Sequence, residues 1–417
     1  MSILCAVLTL AMALTNLVTW RPLSRRALVR STLSWLLAWA PSEFPVVTLV
    51  SQAAIAVVLV ALGGADAWYG VLGLALLAAS WPFLLLGLRS AVAAPRVLDA
   101  AMAAALGPDY ASRAVHPRPA PTSRVTALQI ARAHRSYAVA PDLSYGPGGP
   151  HNLLDVWRSP GTPADGKAPV LLQLPGGAWT QGKRTGQAYP LMTRLCDRGW
   201  VCVAINCRLS PAELWPAHIN DVKRAIAWVK EHIAEHGGDP DFVVVTGGSA
   251  GGHLSSLAAL TCNDPSLQPG FEDADTSVAA AVSMYPNTDW TDRDKLGHDM
   301  GVSHLERTVV KQKLADAFGI YDAASPRSRA HDDAPPFFLA HGQNDSLIPV
   351  ELSRAFVRRL REVSRNPVVF ADLPGAQHAF DILASRRTRA TVAAVESFLG
   401  VVYAEASLTR DAREGDA

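Results

Sequence analysis

The run Gly247-Gly248-Ser249-Ala250-Gly251-Gly252-His253 sets a serine among glycines, directly after the apolar run Phe242 to Thr246. A periodic apolar stretch follows at Leu254, Leu257, Ala258 and Leu260. A buried strand, a sharp turn and a helix together hold a serine hydroxyl at the tip of a strained bend. The glycines allow strand and helix to approach closely, because side chains there would keep them apart. The free N–H groups of the new helix point at whatever the serine attacks. Serine is also a common helix cap, so its partners must decide between the two readings.

A serine hydroxyl is a weak nucleophile at neutral pH. It needs a histidine to take its proton, and that histidine needs an acid to fix its tautomer and stabilise its cation. Downstream, Pro336 to Ala340 reads as a buried strand running into a loop, His341 to Pro349, that carries Asp345. An amphipathic helix over Val350 to Val363 and a further strand, Val368 to Ala371, lead to Leu373-Pro374-Gly375-Ala376-Gln377-His378. Acid and base thus each follow a strand, in the order Ser, Asp, His. Asp332 and Asp333 precede their strand and Asp372 lies on one, so Asp345 is the better-placed acid. His341 comes before the acid and suits a structural hydrogen bond. His253 suits local packing in the first turn after the serine. Upstream, the strand Val170 to Leu174 ends in Pro175-Gly176-Gly177-Ala178-Trp179, a glycine-rich turn able to present backbone N–H groups to an oxyanion.

With these residues in view, the chain from about Pro141 onward resembles the hormone-sensitive-lipase-like and carboxylesterase branch of the α/β-hydrolases. It is most similar to actinobacterial esterase/lipase enzymes with an N-terminal hydrophobic region. Besides the serine turn, Asp345 and His378, the resemblance rests on Pro175 to Trp179, Arg208-Leu209-Ser210-Pro211 and Gly237-Gly238-Asp239-Pro240. It implies Ser249 as nucleophile, His378 as general base and Asp345 as its orienter. It implies the N–H groups of Gly177, Ala178 and Ala250 as oxyanion donors, with no metal or organic cofactor. Trp179 is either an acyl-pocket residue or a packed aromatic. Arg208 and Asp221 brace the core. Where the family's turn begins with histidine this chain has Pro175, which puts the hydrogen bonds bracing that loop in question. Asn287 to Ser325 interrupts the strand–helix alternation and reads as a lid or cap insertion, with Met300, Val302, Leu305 and Phe318 as its apolar residues.

The implied fold is α/β, a mostly parallel sheet flanked by helices, over residues 137–403. Residues 1–90 form a different unit. Ile3 to Trp20, Val46 to Leu62 and Tyr69 to Leu88 contain no charged residue, and at about 1.5 Å rise per residue each can cross, or nearly cross, a hydrocarbon core of ~30 Å. Leu33 to Ala40 is shorter and reads as interfacial. Met1 to Thr19 holds no Lys or Arg, which argues against a signal peptide. Arg21, Arg25, Arg26 and Arg30 crowd the first loop, and Arg89 and Arg96 follow the third run. The positive-inside rule then places the N-terminus outside and the catalytic domain in the cytoplasm of a multi-pass cell-membrane protein. Residues 91–136, with the loop His116 to Pro121, read as a linker with some helix, and 404–417 as a disordered tail.

Lys plus Arg (38) balances Asp plus Glu (37), which gives no electrostatic footprint for nucleic acid. Five cysteines form no disulfide framework, and His331-Asp332-Asp333 has no second ligand cluster that would make it a metal site. The expectation is a membrane-anchored serine carboxylic ester hydrolase acting on an acyl ester, with lipid-like esters favoured. The alternatives are an amide or peptide hydrolase on the same three residues and a non-catalytic ligand-binding protein on the same fold.

Overall fold

The computed structural model describes residues 1–23, 28–119, 126–163, 167–296 and 301–415. Arg25, Arg26, Ala120, Pro121, Met300 and the last two residues of the tail lie outside them. The first four helices are α1 (Ser2–Trp20), α2 (Leu28–Glu43), α3 (Pro45–Ala61) and α4 (Trp68–Leu106). Their polarity is inverted relative to a water-soluble bundle. Asn16, Gln52 and Ser80 are buried, and Asn16 Nδ2 donates to Gln52 Oε1 (2.9 Å) and to Ser80 Oγ (2.8 Å). Ile3, Val7, Val47, Val57, Trp68 and Val71 face outward. Polar atoms inside and apolar side chains outside suit an apolar surrounding, where an unpaired amide is costly. Small residues let α1 and α4 touch: a Cβ on Gly73 would sit 2.9 Å from the Ala6 Cα.

By length and composition α1 and α4 suffice to cross a bilayer, while α2 and α3 form a broken pair bent by 99°. Helix α4 runs 39 residues without interruption. Residues 91–106, expected as linker with some helix, are therefore its second half. The reason is a stripe, Ala91, Ala94, Leu98 and Met102, at helical spacing and buried against the catalytic core. Two short helices follow, α5 (Tyr110–Arg113) and α6 (Ala127–Tyr137).

The sheet has eight strands: β1 (Ala138–Ser144), β2 (Leu153–Trp157), β3 (Ala168–Leu174), β4 (Val201–Ile205), β5 (Gly238–Gly248), β6 (Ala280–Met284), β7 (Phe337–Gly342) and β8 (Val368–Leu373). Their order is β1-β2-β4-β3-β5-β6-β7-β8. Only β2 runs against its neighbours, pairing antiparallel with β1 and β4. The other pairings are parallel, in a register that sets Leu172 beside Val245 and Val245 beside Ala281. Strands covered on both faces read as near-continuous apolar runs, which is why β3 to β8 were legible.

Side chains alternate between two cores. Val170, Leu172, Val243 and Val245 face α8 (Ala217–His232), α9 (Ala250–Leu260) and α12 (Val350–Val363). Leu171, Phe242 and Val244 face α4, α7 (Tyr189–Asp197) and α13 (Arg386–Gly415). Helix α13 is apolar enough to span a membrane, but half of that stretch is buried, with Val395, Phe398 and Leu399 on the sheet. It also takes in most of the tail expected to be disordered, because residues 404–415 extend it.

The insertion after β6 carries α10 (Val302–His304), a π-helical turn over Leu305–Val309 and α11 (Phe318–Ala323). Leu305, Val309 and Tyr321 are buried in the first core, and Phe318 is exposed.

One buried ion pair fastens the N-terminal helices to the hydrolase unit. Arg387 Nη1 bonds Glu43 Oε1, both side chains are fully buried, and Ser385 Oγ donates to Glu43 Oε2 at 2.6 Å. Glu43→Gln leaves the guanidinium buried without a counter-charge, for an expected loss of about 3–5 kcal/mol. Replacing both partners by Leu and Met is expected to restore most of that loss. Thermal unfolding of the full chain in detergent measures both, and an unchanged melting temperature for Glu43→Gln counts against this account.

Candidate active site

Parallel strands gather their C-terminal loops on one edge of a sheet, where ligands bind in such folds. Ser249 follows β5, the Pro175 to Trp179 turn follows β3, Asp345 follows β7 and His378 follows β8. Ser249 has φ +59° and ψ −119°, a conformation L-residues avoid. Its N–H is tied to the Met284 carbonyl at 3.0 Å. A Cβ on Gly247 would sit 2.5 Å from the Gly251 carbonyl carbon, and one on Gly251 would run into the Leu174 carbonyl. No side chain fits at either position, so the bend requires both glycines.

Asp345 is fully buried. Its Oδ1 accepts from the N–H groups of Leu347 (2.9 Å) and Ile348 (2.8 Å). Its Oδ2 lies 2.7 Å from His378 Nδ1 and 3.2 Å from His341 Nε2. Burial alone would raise the Asp345 pKa, but the His378 charge and the hydrogen bonds from His341 and His378 outweigh it and hold the carboxyl well below the ordinary range. With Nδ1–H given to Asp345, His378 keeps Nε2 free to take a proton. Ser249 and His378 line one cavity of about 440 Å³ with Gly177 and Ala178. The N–H groups of Gly177, Ala178 and Ala250 donate no hydrogen bond to protein among the described residues.

The brace that Pro175 put in question is supplied by Gln187. Its Oε1 accepts from the Gly176 N–H at 2.8 Å and its Nε2 donates to the Gly176 carbonyl at 3.2 Å. Gln377 plays the same part between the acid and base loops, accepting from the N–H groups of Ser346 (2.8 Å) and His378 (2.9 Å). Tyr285 lays its ring 4.6 Å from the His378 ring and bonds Asp381 through its hydroxyl. None of these three residues carries a sequence signal, since each is identified only by what the fold brings to it. His341, the other histidine near the acid in sequence, sits behind it, with Nδ1 2.7 Å from Ser353 Oγ.

Trp179 is packed against other aromatic rings. The side chain is 3% exposed and its ring lies 4.9 Å from Trp290 and 5.2 Å from His253, away from the cavity wall. No described residue of the insertion 287–325 lines the cavity either. The insertion touches the oxyanion turn through Trp290, against Trp179, and through His304 Nε2, 3.0 Å from the Ala178 carbonyl. Thr32 and Trp35 of α2 contribute to the wall instead. Arg208 and Asp221 form a bidentate pair of 2.8–3.0 Å below the sheet edge. Asp332 and Asp333 pair with Arg365 at the surface, and no group among the described residues has the ligands to hold a metal.

With this geometry in hand, the chain is an α/β-hydrolase in its architecture, and its relatives define it further. The BD-FAE family model matches residues 154–360. Over 397 residues the chain is 50% identical to the probable carboxylic ester hydrolase LipM of Mycobacterium tuberculosis (strain ATCC 25618 / H37Rv), which covers 92% of this chain and 90% of LipM. Esterase LipQ of the same organism is 44% identical over 378 residues, covering 89% and 85%. The propionate-bound Est2 esterase of Thermogutta terrifontis superposes with a TM-score of 0.52 at 25% identity, covering 62% of this chain and 92% of that one. A truncated carbohydrate esterase from gut microbiota shares the fold, with a TM-score of 0.54 at 22% identity over 63% and 98% of the two chains. The chain belongs to the carboxylic ester hydrolase family that includes LipM and LipQ.

Two buried histidines beneath the oxyanion turn set an acid limit on stability. Burial pushes His253 down to about 3 and His218 down to about 4. The neutral ring fits the contacts of His253, whose Nδ1 accepts from the Trp179 indole (3.3 Å) while Nε2 donates to the Ala324 carbonyl (2.8 Å). Below the ordinary histidine value near 6.5 the unfolded chain binds protons that the folded chain refuses. Stability therefore falls as pH drops from about 6.5 towards 4, by on the order of 3 kcal/mol for each ring. Melting of the full chain between pH 7.5 and 4 is expected to show this slope, and His218→Asn to flatten it. Equal slopes for the two proteins would remove His218 from the account.

Proposed function

We propose that this protein is a membrane-anchored serine carboxylic ester hydrolase that works through an acyl-enzyme on Ser249. The observation that carries the reading is the 2.7 Å contact of His378 Nδ1 with buried Asp345, in a cavity shared with Ser249. His378 Nε2 takes the hydroxyl proton as Ser249 Oγ attacks the acyl carbon. The N–H groups of Gly177, Ala178 and Ala250 receive the oxyanion, and each such donor is worth about 100- to 1,000-fold in rate. His378 then passes its proton to the departing alkoxide. Water, deprotonated by the same imidazole, releases the acid. Asp345 holds the ring and balances its charge throughout. An amide or peptide substrate would use the same steps with an amine leaving group; the esterase names of LipM and LipQ favour the ester.

The anchoring rests on the inverted polarity of the N-terminal helices and on the arginines that follow α1 and the apolar half of α4. The match to LipM covers 92% of the chain, which is enough to take in α3 and α4 as well as the hydrolase unit. A hydrophobic substrate is the natural companion of such an anchor.

Labelling with a fluorophosphonate probe tests the nucleophile. Wild type is expected to be labelled and Ser249→Ala not; equal labelling of the two would falsify the acyl-enzyme. Orientation has its own test, with a C-terminal tag digested in inverted vesicles and protected in right-side-out ones. Digestion only from the outer face reverses the topology.

A further inference from the structure

Helix α2 has two faces with different surroundings, and its contacts put it at the catalytic cavity. On one face Trp35 Nε1 donates to the His378 carbonyl (3.0 Å) and Trp39 Nε1 to the Ala379 carbonyl (2.8 Å). On the same side Ser346 Oγ, next to the acid, donates to the Ser31 carbonyl at 3.1 Å. Thr32 and Trp35 are part of the cavity wall. Val29, Leu33 and Leu36, spaced at i, i+4 and i+7, form a second stripe about a third of a turn round the helix from the indoles, with 79%, 43% and 60% of their surface exposed and none of them lining the cavity.

The depth of α2 follows from its neighbours. Asn344 of the acid loop donates to the Thr19 carbonyl at the end of α1 (2.9 Å). Arg387 Nη2 reaches Ser90 Oγ, just past the last apolar run, at 3.4 Å. Glu43, its ion-pair partner, lies two residues before α3 begins. The acid loop and the start of α13 thus rest against the ends of the three apolar runs, at headgroup level if those runs cross the bilayer. With α3 crossing, the 99° bend lays α2 in the membrane plane. A helix with indoles along one line and an aliphatic stripe along another suits that position.

We propose that α2 is an in-plane gate: its aliphatic stripe lies in the lipid leaflet, its tryptophan face closes the cavity, and ester substrates reach Ser249 sideways from the bilayer. The inference rests on the serine hydrolase reading above and assigns the substrate class of that site, esters dissolved in the leaflet. Trp35 and Trp39 act as positioning residues, since they hold the backbone of the base loop without touching the reacting atoms.

The test uses the full chain reconstituted in phosphatidylcholine–phosphatidylglycerol vesicles, with p-nitrophenyl acetate in the water and p-nitrophenyl palmitate in the bilayer. Leu36→Asp puts a charge on the outer stripe, away from the cavity. It is expected to slow the bilayer ester about tenfold while leaving the soluble ester within about twofold of wild type. Val29→Glu, on the same stripe, is expected to do the same and serves if Leu36→Asp has lost its melting transition. Equal rates on the bilayer ester, or equal slowing of both esters by a variant that still melts cooperatively, overturns the gate. Wild type that hydrolyses neither ester and escapes fluorophosphonate labelling overturns the hydrolase reading, and the gate with it.

Discussion

A carboxylate out of reach of water governs this structure. Asp345 is useful only as an anion, and an isolated anion cannot be buried. Its two oxygens therefore set requirements on everything near them. Oδ1 takes two backbone N–H groups from its own loop, which fixes the turn Asp345 to Ile348. Oδ2 takes the two imidazoles, which fixes His378 from one side and needs His341 behind. Gln377 then joins the acid and base loops through one amide oxygen. Charge-assisted hydrogen bonds of this kind are short and strong, and removing any partner leaves the carboxylate undersatisfied. Two loops separated by a helix and a strand thus behave as one rigid element.

That element has to be braced from outside, and α4 explains how. A single helix carries an outward-facing apolar half, Trp68 to Leu88, and a second half whose inner stripe joins the sheet core. The helix is continuous from one half to the other, past Pro82 and Pro95. The end of α1 and one face of α2 meet the catalytic loops through Asn344, Ser346 and the two indole donors. The N-terminal helices and the hydrolase unit share their packing, so a boundary drawn between them cuts through the region around the site.

How much of this could be read beforehand depended on the range of the signal. The serine turn, Asp345 and His378 announce themselves because each follows an apolar strand and sits in a short motif, and steric necessity fixes the motif glycines. The sheet was legible for the same reason: double-sided burial writes itself as consecutive apolar residues. The second half of α4 reads only as a linker with some helix, because its stripe of Ala91, Ala94, Leu98 and Met102 is mild and Pro95 falls within it. The tail was read as disordered on its charge, although residues 404–415 extend a helix already anchored by Val395 and Phe398. Gln187, Gln377 and Tyr285 were invisible for a different reason. Their roles arise from hydrogen bonds or ring contacts that only the folded chain creates. The insertion after β6 was expected over the cavity, yet its apolar residues Leu305, Val309 and Tyr321 pack into the core. A mixed apolar and charged composition does not say which neighbour its apolar side chains will find.

The oxyanion turn shows how a changed motif can keep its geometry. Ala178 (φ +55°) and Trp179 (φ +61°) both adopt left-handed backbone beside Gly177 (φ +132°). Two such non-glycine residues in sequence cost on the order of 1–3 kcal/mol each, and they persist only where the surroundings compel them. One restraint comes from the Gln187 amide on both backbone groups of Gly176. The other comes from Trp179, whose carbonyl accepts from the Ser210 N–H at 2.8 Å and lies 3.2 Å from His218 Nε2, while its indole bonds His253. Its ring is clamped in the aromatic cluster. A tryptophan lining the pocket would have to move with each substrate, and the strained turn before it would relax. Packed into the core, it holds Gly177 and Ala178 with N–H groups that find no acceptor among the described residues. With proline at the head of the turn, Gln187 braces the next residue through both of its backbone groups.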